Sequence, residues 1–357
     1  MKVLVAERNA LRVNLGEIRA RAGSAEIVAD LSGDGQGLGL MRMARFLAEE
    51  GVQSFAVWDS WDAVNLRRGG FTQEHILMLR SITNPQELRE LMDCGVTFAI
   101  GSNEAGIALN GLATELHTVA EVRIMVDAGL GQYGFLPTET DKILNICRMM
   151  PGLAVTGVMT RLGSEQKSTL EARYLAFRNV VGTLQGQGVD TGLLLALDSE
   201  ALFRCELGEQ SAVLADSALI GRLPVNGSGL VKVGSVEATL EEMKWLPEGS
   251  IVGMGKGKKL RSPARIAVVD LGWANGVGVR RCMGQKPGFL QLVKRGLHPN
   301  RFMPVFRVNG KLAPVMGQVG MTGLVIDVTK CDANPGDRAV LDMDPRLVRN
   351  LPVELRE

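Results

Sequence analysis

The pattern of apolar and polar positions divides the chain into two textures. Between about residues 8 and 225, short apolar runs alternate with amphipathic stretches of helical period. AEIVAD precedes LGLMRMARFLAEEG, SFAVW precedes SWDAVNLRRGG, and HILMLR precedes NPQELRELMDCG. TFAIGS, VRIMVDAG, AVTGVMTR, GLLLALDS and DSALIGRL extend the strand series. Runs that are apolar throughout and separated by helices predict parallel strands buried on both faces. About eight such units fit a closed TIM-type (β/α)8 barrel better than an open doubly wound sheet. GDGQGLG has glycines at suggestive spacings, but that pattern alone is too weak to assign a dinucleotide site.

Beyond about residue 228 the texture changes. GLVKVGSVEATLEEMKWLP, SIVGMG, ARIAVVDLG, RFMPVFRVNGKLAPVMGQVGM and GLVIDVT read as strands joined by Gly, Pro and Asn turns. The Asn-Gly pair in RVNGKLAP predicts a hairpin. The expected division is therefore a barrel over 8–228 and a mostly β C-terminal domain over 229–357, which an N-terminal strand at 1–7 could join.

Composition narrows the chemistry. Lys+Arg at 40 against Asp+Glu at 39 gives no electrostatic case for nucleic acid or an anionic membrane. No apolar run approaches the roughly 20 residues that span a bilayer, and the polar turn after MKVLVAE predicts no signal peptide. Cys94, Cys147, Cys205, Cys282 and Cys331 are odd in number and make no CxxC pair, so they read as reduced thiols of a cytoplasmic protein without a structural zinc. His75, His117 and His298 are isolated and read as structural, His75 opening a strand and His117 within a helical stretch. GMGKGKKLRSPAR has the wrong spacing for a P-loop, so Lys256, Lys258 and Lys259 read as a solvated basic loop.

Five stretches, in order along the chain, carry a resemblance. ALRVNLGEIRARAG, VDAGLGQYGF, GVMTRLG, SPARIAVVDLGWANGV and LAPVMGQVGMTGLVIDVT together resemble the alanine racemase family over nearly the whole chain. The resemblance implies a pyridoxal-phosphate barrel (fold type III), a C-terminal β domain, and a head-to-tail homodimer in which each site is completed by the partner. It also implies amino-acid racemisation, which needs a lysine for the Schiff base and two bases on opposite faces of the α-carbon.

At those positions the chain departs from the family. The family's Lys-Ala-(Asn/Asp)-Ala-Tyr-Gly-His-Gly is matched here by Asp30-Leu31-Ser32-Gly33-Asp34-Gly35-Gln36-Gly37. Asp30 stands at the lysine position and Asp34 at that of the phosphate-contacting tyrosine. The catalytic tyrosine of Gly-Tyr-Ala-Asp-Gly corresponds to Trp273, and no tyrosine follows Tyr174 to replace it. The arginine of Asp-Thr-Gly-Met-(Gly/Asn)-Arg-Leu-Gly corresponds to Gln132. The Thr-His pair becomes Thr160-Arg161, and the arginine facing the pyridine nitrogen becomes Leu219.

Other elements are kept. Ser199 matches the serine of the phosphate site, Gly221 and Arg222 could present backbone N–H groups to an anion, and Met321 matches a residue near the substrate carboxylate. Asp30 and Asp34 could form an uneven acid–base pair, with Arg161 as the salt-bridge partner of one of them or as an anion binder. Trp273 reads as packing more readily than as a ligand-stacking ring. Together these positions predict a divergent, alanine-racemase-like protein without pyridoxal-phosphate racemisation and with no cofactor. It would be retained to bind a small amino acid or anion, or as a regulatory or accessory protein of amino-acid metabolism. The alternatives are an active isomerase or cofactor-independent acid–base enzyme in the same barrel, and a heterodimer partner of a true racemase.

Overall fold

The computed structural model describes residues 1–163, 166–206, 208, 210–253, 257–279 and 304–357. Lys256, Cys282 and His298 lie outside the described residues. The chain forms two units, Ala10–Lys232 and Met1–Asn9 with Val233–Glu357.

The first unit is a closed, all-parallel barrel of eight strands. In chain order these are β2 (Glu26–Asp30), β3 (Ser54–Val57), β4 (His75–Ser81), β5 (Thr97–Ile100), β6 (Ala120–Met125), β7 (Leu153–Met159), β8 (Leu193–Leu197) and β9 (Ala212–Ala215), after β1 (Lys2–Glu7) of the other unit. β9 pairs with β2 and closes the ring. The eighth strand is AVLA, one step earlier than DSALIGRL suggests. Asp216 to Arg222 instead form a turn cluster: the Leu219, Gly221 and Arg222 N–H groups return to the carbonyls of Asp216, Ala218 and Ser217. The apolar letters Ala218, Leu219 and Ile220 are buried as turn residues, and burial alone does not distinguish them from a strand.

Strand residues two apart point the same way, so the barrel interior is stacked in layers. Its middle is apolar, with Val28, Ala56, Leu77, Leu79, Ala99, Met125, Met159 and Leu195 in one cluster. Burying one such side chain contributes about 1.5–3 kcal/mol. Two positions further along, Asp30, Trp58, Arg161 and Asp216 stand at the C-terminal mouth. Two positions back, Glu26, Ser54, Thr97 and Arg123 stand at the N-terminal foot. His75 opens β4 at the foot, where it is exposed, and His117 lies just past the helix Asn103–Glu115 with φ 51°.

The second unit is an eight-stranded, mostly antiparallel sheet. It contains β1, β10 (Ser235–Leu246), β13 (Ala264–Val269), β14 (Val305–Val308), β15 (Lys311–Met316), β16 (Leu324–Asp327), β17 (Arg338–Asp342) and β18 (Val353–Arg356), with β11 (Ile251–Val252) and β12 (Lys258–Lys259) as a separate pair. Lys258 and Lys259 are therefore exposed strand residues of a short ladder rather than a loop. Asn309 (φ 49°) and Gly310 (φ 79°) make the tight turn between β14 and β15, both in the left-handed region that a type I′ hairpin requires. The N-terminal strand is held here by β10 on one side and β18 on the other.

Candidate functional site

β2 ends at Asp30, whose side chain turns into the barrel mouth and is 4% exposed. Its Oδ1 accepts the Ser32 N–H at 2.9 Å, and its backbone carbonyl accepts Gln36 Nε2 at 3.0 Å. Burial pushes the carboxyl above its usual range and the nearby Asp216 adds to this, while the Ser32 hydrogen bonds and the Arg161 guanidinium oppose it. Asp198 is likewise raised, first by burial and then by Asp216. It also caps the helix Ser199–Arg204, accepting the Ala201 N–H at 3.0 Å and the Gly163 N–H at 2.8 Å.

Arg161 approaches Asp216 at 3.8 Å, so its ion-pair partner is Asp216 and neither Asp30 nor Asp34. The mouth thus gathers Asp30, Asp198 and Asp216 around one guanidinium. Neither Asp198 nor Asp216 was singled out from sequence, and only the order of the strands brings them to Asp30. A signal did exist: each lies immediately past the end of a barrel strand, where inward-facing side chains reach the mouth.

Asp34 does not join them. Gly33, Asp34, Gly35 and Gln36 form a left-handed turn, with φ of 67°, 58°, 62° and 57°. This backbone is costly for residues with a Cβ, and two side chains hold it in place. Gln36 is tied to the Asp30 carbonyl, and Asp34 Oδ1 accepts the Leu40 N–H at 2.8 Å at the start of the helix Leu40–Glu49. Asp34 is thereby exposed, and an Asp30–Asp34 acid–base pair is not formed.

The residues that the resemblance assigns to an anion site have local duties. Ser199 Oγ is buried and accepts the N–H groups of Asp216 (3.0 Å) and Ala218 (3.3 Å). The Gly221 and Arg222 N–H groups are spent on Ala218 and Ser217 carbonyls, both at 3.0 Å, so they do not face an anion. Gly221 is glycine for two structural reasons: its φ is +61°, and a Cβ there would sit 1.9 Å from the Val231 carbonyl oxygen.

A cavity of about 10 Å³ remains at the mouth, lined by Trp58, Asp127, Leu130, Gln132, Tyr133 and Arg161 among others. The Trp58 and Tyr133 rings meet edge to face with centroids 5.5 Å apart. Asp127 is turned into its own loop. Burial works against its charge, but the N–H groups of Gly129, Gly131 and Leu130 hold its carboxyl below the ordinary range.

In the other unit, Trp273 starts a short 3-10 turn, and Met321 adjoins it. The Trp273 N–H donates to the Gly320 carbonyl at 3.0 Å and the Ala274 N–H to that of Met321 at 3.1 Å. The two side chains are 53% and 55% exposed, so Trp273 is not core packing within its own unit. Among the described residues there is no group of three or more His, Cys, Asp or Glu side chains that could hold a metal ion, and no helix is long and apolar enough to cross a membrane.

Comparison with known proteins agrees with this architecture. Residues 7–214 match the family model for the alanine racemase N-terminal domain, and residues 233–350 that for the alanine racemase C-terminal domain. An alanine racemase of Clostridium tetani is 24% identical over 92% of this chain and 82% of its own length. One from Carboxydothermus hydrogenoformans is 25% identical over 93% of this chain and 86% of its own. Among solved structures, the alanine racemase of Streptomyces coelicolor superposes with a TM-score of 0.85 at 20% identity, covering 99% of this chain and 97% of that one. That of Bartonella henselae with covalently bound pyridoxal phosphate does so with a TM-score of 0.82 at 17% identity, covering 99% of each. The chain belongs to the alanine racemase family.

Proposed function

We propose that this family member has given up pyridoxal-phosphate racemisation. On this reading it is retained as a small-molecule-binding, regulatory or accessory protein of amino-acid metabolism, a homodimer in the cytoplasm. The observation that carries the reading is Asp30: a buried carboxyl stands where the resemblance asks for an amine, and a carboxyl cannot form the covalent link to the cofactor.

Three features support it. Gln132, which lines the mouth where the resemblance asks for an arginine, carries no charge. The Gly221 and Arg222 N–H groups are consumed in their own turn. Trp273 has only an indole N–H, which neither accepts nor returns a proton as a phenol does. These residues do not fit pyridoxal phosphate, and we expect no cofactor there. Three carboxyls against one guanidinium suit the ammonium end of a small amino acid better than an anion.

A second reading has one observation in its favour. Asp30 and Asp198 are buried carboxyls raised beside Asp216, and acid–base enzymes raise catalytic carboxyls by the same means. Exchange of the alanine α-proton in heavy water, followed by proton NMR with and without pyridoxal phosphate, tests both. The first reading expects no exchange above the protein-free rate. Cofactor-dependent exchange overturns it, and cofactor-free exchange abolished by D30N establishes the second.

A further inference from the structure

Outside the mouth, the helices Leu40–Glu49 and Ser60–Arg68 frame an open groove of about 820 Å³. Arg42 and Arg45 stand three apart on the first helix. Trp61 and Arg68 stand seven apart on the second, so each pair shares a face. All four line the groove, with Met41 between them. Trp61 is 61% exposed, and the Arg68 guanidinium lies 5.5 Å from its ring centroid.

The groove's three arginines outnumber its two carboxyls, Asp34 and Asp62. Among the described residues, Arg42, Arg45 and Arg68 have no carboxylate within ion-pair distance. Other arginines of the barrel do have one: Arg12 reaches Glu50, Arg89 reaches Glu115 and Arg204 reaches Glu200. Three free guanidinium groups around an exposed tryptophan, with no lysine lining the groove, match the residue types enriched at protein–protein contacts.

We propose that this groove docks a carboxylate-bearing segment of another protein, with Trp61 as the apolar anchor and Arg42, Arg45 and Arg68 as the charged clamp. The alternative anion, a phosphate or nucleotide, would have only the first-turn N–H groups of Met41 and Arg42 as backbone donors. The N–H groups of Gly35, Gly37, Leu38 and Gly39 are spent within their own loop, and that of Leu40 is taken by the Asp34 carboxylate. The groove is also open, whereas small-molecule sites enclose most of their ligand. Asp62 and Asp34 also line the groove and repel carboxylates, so a partner's acids are held only where the arginines outweigh them. The proposal stands independently of what the barrel mouth does.

The test uses the R42K/R45K variant, which keeps both charges and adds amines that carbodiimide couples to a partner's carboxylates. Cross-linking in an extract of the native host, followed by peptide mapping, is expected to join position 42 or 45 to an Asp or Glu of a second protein. That partner, purified, should bind the unmodified chain. Its affinity should fall at least about tenfold in R42E/R45E/R68E and again between low and high salt. Lysine at the cross-linked acid of the partner should restore binding to the triple variant. W61A should weaken binding while leaving the salt dependence unchanged. Circular dichroism melts of the variants should match that of the parent. A cross-link only to a second copy of this chain, the absence of any cross-link, or binding indifferent to R42E/R45E/R68E would each overturn the proposal. So would displacement of the cross-linked partner by ADP or pyrophosphate at the ionic strength where sodium chloride does not displace it.

Discussion

The two ends of the barrel are built from the same strands and carry opposite lessons. At the foot, Arg123 is 9% exposed and lies near Glu26 and Glu121, one cation beside two acids. Ser54 donates to Glu26, and Thr97 Oγ1 lies 3.4 Å from Glu121. At the mouth, Asp30, Asp198 and Asp216 have Arg161 as their one nearby cation among the described residues, 3.8 Å from Asp216, and two of the three carboxyls are pushed upward. The foot reads as a polar plug in which charge is balanced by proximity: the acids lie near the one cation, while Arg123 Nε and Nη1 make no hydrogen bond among the described residues. The mouth holds an acid excess: Asp198 caps a helix and Asp30 anchors a turn, but buried carboxyls raised beside another acid are found at functional sites more than in structural layers.

The largest effects should come from the features that keep the ends apart and in shape. Leu79→Ala, in the apolar layer between them, should cost about 2–5 kcal/mol of unfolding free energy, to the same extent at pH 5 and pH 8. Urea titration at both values measures it, and a strongly pH-dependent loss would mean the two polar ends are not insulated. Gly221→Ala should cost at least about 3 kcal/mol, because it adds both positive-φ strain and a clash with the Val231 carbonyl. A loss confined to ligand binding, with the melting temperature unchanged, would instead return Gly221 to an anion site.

Smaller effects separate the mouth by its titration. A carboxyl raised in the folded state costs nothing while it is protonated in both states. It lowers stability as pH climbs from the ordinary value of 3.8 through the raised one. The unmodified chain should therefore lose stability over that climb, and D30N, which keeps the acceptor for the Ser32 N–H, should lose less. Denaturant midpoints from pH 4 to pH 8 show the difference, and parallel curves would remove the acid excess from the account. Asp62 is pushed up to about 6, first by burial and then by Asp59 and Asp34, so D62N should follow the same sign across about pH 4 to 6. Because that group is half exposed, the gain should stay below about 1 kcal/mol.

Much of this architecture was legible in the sequence. Uniformly apolar strands between amphipathic helices can only be buried on both faces, which made the barrel readable. The Asn309-Gly310 turn announced its hairpin. Asp30 was visible as the end of a strand, which the structure bears out. What stayed hidden depended on backbone direction and on closure of the ring. Asp34 has the right spacing to meet Asp30, but four consecutive left-handed residues turn it toward the Leu40 N–H. Asp216 is distant in sequence and becomes a neighbour only because β9 closes on β2. Gly221 and Arg222 kept the letters of an anion site while their N–H groups were drawn into a turn that no residue pattern discloses.

The central claim is that the mouth does not take up pyridoxal phosphate covalently. Incubation of the purified chain with the cofactor, borohydride reduction, and intact-mass analysis with peptide mapping test it most directly. The account predicts a single species at the mass of the unmodified chain. A stoichiometric phosphopyridoxyl adduct on one lysine, prevented by prior incubation with alanine, would contradict it.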